Sequence, residues 1–159
     1  MRIFKAAKEY CPDFLMSSVR VLYGIMWLGG ASWKAPPLFG LASNDSLRYW
    51  IVQGVQHPVW PPYTAFVEHV VLPNFLLFEW IALILELLLG IGFILGIRLK
   101  LLGMLAVFHS VNIALTVSNV PNEWPWSYYL MAMVGAVFIV HDTSKISAEY
   151  LLRKIESKK

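Results

Sequence analysis

Arg20, Glu86, His109 and Asn112 can each ionise or form strong hydrogen bonds, and each stands inside an otherwise apolar run. Such groups are costly in lipid and as a rule face the interior of a helical bundle. Arginine and histidine can donate hydrogen bonds there, and a glutamate can accept or pass on a proton or pair with a cation. Asn112 lies three residues after His109, hence on the same helix face, where it can support the ring.

Counting along each run predicts that these groups meet. Arg20 is about 9 Å past the start of its run at Phe14, and Glu86 about 16 Å before the end of its run at Ile97. His109 and Asn112 fall about 12 and 16 Å along theirs. Arginine's length covers most of the remaining gap to Glu86, so one polar pocket is expected. Plainer roles stay open. Arg20 can snorkel to water, Arg20 and Glu86 can form a purely structural lock, and His109 and Asn112 can bond across helices. Glu79, seven residues before Glu86 on the same face, extends the pocket as a proton route or as the wall of a polar cleft.

The elements that must hold these groups follow from composition. Of 159 residues, 58% are hydrophobic and only 14% charged, against about a quarter charged in soluble domains. A membrane crossing takes roughly 20 apolar residues. Four segments of the chain qualify in order: 14–33, 74–97, 101–120 and 124–140, the last being the shortest. Pro125 suits the first turn of the fourth, where a missing N–H costs nothing. The expected fold is an all-α integral membrane protein, a single four-helix transmembrane bundle. The first segment reads as a retained span, not a cleaved signal, because it is long and lacks a small-x-small site.

Charge sets the direction. With four spans, Arg2, Lys5, Lys8, Arg98, Lys100, Lys145, Arg153, Lys154, Lys158 and Lys159 share one side, and only Lys34 and Arg48 stand on the other. The positive-inside rule then puts both termini in the cytoplasm, in a cell (plasma) membrane protein. The outer loop, 35–73, is rich in proline and aromatics. Leu47, Trp50, Ile51 and Val55 recur at helical spacing after the caps Ser43, Asn44 and Asp45, and Phe66, Val67, Val70 and Val71 do so before Pro73. Two short helices capping the outer end are expected. The tail, 142–159, reads as an amphipathic helix with Ile146, Tyr150, Leu151 and Ile155 on one side.

Several classes are excluded or weakened. The net charge of +3 comes with no basic patch interleaved with aromatics, so nucleic acid is not an expected partner. Cys11 is the only cysteine, which rules out an internal disulfide or a Cys-x-x-Cys redox pair. Any electron transfer must therefore use a bound cofactor, a quinone or another subunit. His57, Glu68–His69 and His141–Asp142 match no strong metal signature, and no flavin motif is visible. Trp33, Trp124 and Trp126 read first as interface anchors. Gly24, Gly29, Gly30, Gly90, Gly92 and Gly96 read as sites of close helix approach.

Taken together, these fragments resemble the DoxX/DoxD family of small four-helix membrane proteins. The first helix carries Arg20, Gly24, Gly29, Gly30 and a closing Lys34, and the second runs from Glu86 through Gly90 and Gly96 to Arg98. The stretches from His57 to Asn74 and from Asn112 through Asn119, Glu123 and Trp126 to Tyr128 are similar to the DoxD branch. The likeness covers roughly 18–140. It implies the small membrane subunit of a thiosulfate:quinone oxidoreductase, passing electrons from thiosulfate to membrane quinone beside a second subunit. The expected roles are Arg20 and His109 as donors to quinone carbonyls, Glu86 as proton acceptor and Asn112 as support. Lys34, with Arg48, is the expected outward anion site. The alternative is a non-enzymatic accessory or assembly subunit of a larger respiratory complex, with homo-oligomerisation also open. A transporter ranks last, since inverted repeats and broken helices are not visible.

Overall fold

The computed structural model describes residues 2–36, 46–141, 147–148 and 154–155, with side chains from Asp13 onward. It is helical, with no strand among the described residues. The order is α1 (Arg2–Ser32), α2 (Leu47–Gln56), α3 (Pro61–Phe66) continued by a π-helical turn (Val67–Val71), α4 (Phe75–Leu95), α5 (Leu99–Val117) and α6 (Pro125–Val140). Three stretches are long and apolar enough to cross a membrane: Asp13–Ser32, Phe75–Leu95 and Leu99–Val117. Helix α6 is apolar but shorter, at 16 residues. Only a third of each long stretch is buried within the protein. Ile25, Leu88, Ile91, Phe108 and Met133 face outward, an apolar surface too continuous for water.

Local chemistry sets the helix ends. Helix α2 starts at Ser46, whose hydroxyl accepts from the Tyr49 N–H at 3.2 Å. The caps expected at Ser43, Asn44 and Asp45 lie outside the described residues, as does most of the amphipathic tail helix. Helix α4 ends on Gly96 at φ 69°, with the Gly96 and Ile97 N–H groups returning to the Gly92 carbonyl. That left-handed closure belongs to glycine. Pro125 opens α6 in its first turn, as its missing N–H allows.

The long helices associate as two pairs, α1 with α4 and α5 with α6. Each pair meets at glycines. A Cβ on Gly24 would stand 2.7 Å from the Gly90 carbonyl oxygen, beside Ile94, and one on Gly103 would stand 2.7 Å from the Gly135 carbonyl oxygen, beside Ile139. The two pairs thus repeat one packing motif, and Gly90 and Gly135 each open the same Gly-x-x-Phe-Ile run. Between them lies a core of Tyr23, Trp27, Leu89, Phe93, Leu102, Ala106 and Phe138. The Tyr23 hydroxyl donates to the Met131 carbonyl at 2.8 Å, joining α1 to α6. Helices α4 and α5 touch each other far less. Over the opening between them sit α2, α3 and the π turn, through a second cluster of Ile51, Val67, Val71 and Phe75.

Candidate functional site

The antiparallel register of α1 against α4 decides which polar groups meet. Gly24 faces Gly90, and Gly30 faces Glu86. One step further down, the Arg20 guanidinium lies where a Cβ on Gly96 would be. Arg20 therefore sits at the C-terminal end of α4, where the helix dipole favours a cation. Gly96 is ten residues, about 15 Å, from Glu86. The expected Arg20–Glu86 contact is not made.

Lys34 takes that place. Its ammonium donates to Glu86 Oε1, with Lys34 6% and Glu86 1% exposed. Lys34 lies in the turn just after α1, about one turn above Gly30, while α4 runs well past it toward the α2–α3 cap. Glu86 is thus near the middle of α4 yet within reach of the end of α1. Lys34 turns inward, not outward as an anion holder, and its ammonium also lies 5.0 Å from the Trp33 ring centroid. Arg48, the other expected anion contact, is exposed on α2.

His109 comes to the same oxygen from α5, with Nε2 3.2 Å from Glu86 Oε1. Trp27 stacks on the His109 ring, centroids 5.4 Å apart and planes 28° apart. This fixes the imidazole between a flat apolar face and a carboxylate. One turn further along α5, Asn112 Oδ1 accepts from the Tyr63 hydroxyl at 2.6 Å. Tyr63 also lies 3.1 Å from Thr116 Oγ1, and Thr116 donates to the Asn112 carbonyl at 2.8 Å. Burial raises the Tyr63 hydroxyl above the usual phenol range, so it stays protonated as the donor.

These groups edge a cavity of about 300 Å³ between α4 and α5. Lys34, Glu86, His109, Asn112, Tyr63 and Thr116 supply its polar wall, and Ile51, Val71, Phe78, Leu85 and Ile113 its apolar one. Ile81 and Phe108 border it as well and face outward, so its flank lies toward the surface that suits lipid. A few convergent polar groups in an apolar slot of this size match small-ligand sites in general.

Three of the four expected residues thus gather here: Glu86, His109 and Asn112. Tyr63 and Trp27 were not singled out. The signal for Tyr63 was faint, a tyrosine closing a proline-rich outer stretch. Trp27 stands about two turns before Lys34, but nothing in the spacing sets it against His109. Glu79 is 1% exposed, with neither carboxyl oxygen hydrogen-bonded, and it does not line the cavity. Among the described residues no cluster of three or more metal-ligating side chains occurs. No family model, curated protein or solved structure matches this chain.

Proposed function

We propose that this chain is the membrane subunit of a quinone-linked sulfur oxidoreductase, and that the cavity between α4 and α5 takes the quinone ring. In this reading α6 is a fourth span, both termini are cytoplasmic and the α2–α3 cap is outside. The observation that carries the proposal is the cavity itself. Its apolar slot has, at one end, two hydrogen-bond donors, Lys34 and His109, held by one carboxylate, with Asn112 and Tyr63 one turn away. A quinone needs an apolar slot, donors to its carbonyls and a proton carrier.

The roles shift from those expected. Lys34 and His109 are the donors to a quinone carbonyl, in place of Arg20. Glu86 orients both and exchanges a proton. Asn112 and Tyr63 address the far side of the ring. Reduction balances as quinone plus two electrons and two protons giving quinol, with two thiosulfates joining as tetrathionate to release the two electrons. The thiosulfate half rests on the family resemblance and is assigned to a partner subunit, with Arg48 on α2 as this chain's outward anion contact.

A second reading, an accessory subunit of a respiratory complex, draws support from one observation. Glu86 is already ion-paired with Lys34 and hydrogen-bonded by His109, as in a structural lock. Solvent extraction of the gently purified protein separates the two. Co-purified quinone at near-stoichiometric amounts supports the first. A stoichiometric respiratory partner with no extractable quinone supports the second.

A further inference from the structure

The Lys34–Glu86 bridge has a cavity on each side, and only one belongs to the proposed quinone slot. The second, of about 310 Å³, lies between α1 and α6. It extends from Trp27 and Gly30 to Glu123, in the turn before α6 on the α2–α3 face. Glu86 borders both cavities.

The two oxygens of Glu86 are not equivalent. Oε1 receives Lys34 and His109, while Oε2 is buried with no hydrogen bond. Oε2 lies 3.6 Å from where a Cβ on Gly30 would stand, and Gly30 lines the second cavity. With no side chain at Gly30, Oε2 lies close behind the cavity wall, still sealed from it in this structure. A buried acceptor without a donor is unfavourable, and water is the donor that fits such a gap. The cavity has room for roughly ten waters at about 30 Å³ each. Lys34, Glu86, Glu123 and the Tyr128 hydroxyl supply polar partners. At the far end, Glu123 Oε2 accepts from the Tyr128 hydroxyl at 2.8 Å and the Trp124 N–H at 3.1 Å.

We propose that this second cavity is a water-filled proton chamber through which Glu86 exchanges its proton with the aqueous phase on the α2–α3 face. One consequence rests on the quinone reading: the two protons that accompany two electrons onto the ring are drawn from the α2–α3 face, not from the side of the termini.

Water access can be read without any quinone. In a Cys11→Ser background, Gly30→Cys and Met131→Cys place thiols on opposite walls of the chamber, and Met133→Cys places one on the outward apolar surface. A charged methanethiosulfonate reagent is applied to each membrane face in turn. Both chamber thiols should react from the α2–α3 face at least tenfold faster than from the face of the termini, while Met133→Cys stays unmodified. If Gly30→Cys fails to fold, Met131→Cys alone carries the test. Absence of reaction from both faces, or faster reaction from the side of the termini, overturns the chamber. A preparation that binds no quinone yet labels as expected removes the quinone reading and leaves the chamber standing. Where turnover with ubiquinone-1 is measurable in sealed vesicles, alkalinisation should appear on the α2–α3 face, and alkalinisation on the other face overturns the proton route.

Discussion

Lys34, in the turn just after the first membrane-length helix, donates to Glu86 midway along the next one, and His109 of α5 shares the same carboxylate oxygen. One acid so buried is tolerated because two donors converge on it from different helices. The carboxylate therefore ties the two helix pairs through His109 and, with Lys34, forms part of the polar wall of the cavity. Lys34→Met should leave Glu86 short of a partner and cost about 3–5 kcal/mol. Glu86→Leu should do similar harm to Lys34. The double variant should be milder than the sum, and detergent unfolding of all three checks this. Additive losses would mean the two groups do not support each other.

Glu79 should behave in the opposite way. It is as buried as Glu86, yet neither oxygen has a hydrogen-bond partner. Burying a carboxyl without a partner is unfavourable, so an isosteric neutral group loses nothing. Glu79→Gln should leave the unfolding midpoint within about 0.5 kcal/mol of the parent, and Glu79→Leu should match or exceed it. A loss comparable to that of Lys34→Met would show a partner at Glu79.

Neighbouring glycines in α1 should diverge sharply. Around Gly29 nothing approaches within 4 Å of an added Cβ, whereas at Gly24 the added atom meets the Gly90 carbonyl and Ile94. Gly29→Ala should be neutral or stabilising by up to about 1 kcal/mol through helix propensity. Gly24→Ala should cost about 1–3 kcal/mol, by forcing α1 away from α4. Equal effects at both positions would contradict the packing.

How much of this was legible follows from which forces act locally. The apolar runs located every long helix, because solvent class is written in composition. Their ends were less legible: α4 closes at Leu95, not Ile97, because Gly96 turns left-handed, and α5 starts at Leu99, before the run at 101. The short cap helices followed from 3.6-residue spacing, but the π turn at Val67–Val71 has no such signal. The gathering of Glu86, His109 and Asn112 was legible from depth. Their partner was not. Depth counting placed all helix ends in two shared planes, whereas α4 extends beyond the end of α1 toward the cap. That offset brings Lys34 to Glu86 and leaves Arg20 at Gly96.

The proposed orientation has its own check. In a Cys11→Ser background, a cysteine at Lys158 should react with impermeant reagents only after the membrane is breached. One at Asn122, exposed in the turn before α6, should react in intact cells. Labelling of both positions from outside would overturn the charge argument for two cytoplasmic ends.

In the proposed function, the cavity between α4 and α5 binds a quinone ring through His109. Trp27 stacks on His109 and Trp50 lines the cavity, so ring binding should quench tryptophan fluorescence. The deciding measurement is a ubiquinone-1 titration of the parent and of His109→Leu, alongside the thermal unfolding of each. Lys34 still holds Glu86 in the variant, so the bundle should stay folded. Losing one hydrogen bond to a carbonyl, worth about 1.4 kcal/mol, should weaken quinone binding about tenfold. A folded His109→Leu with the parent's affinity, or a parent that binds no quinone, would contradict the account.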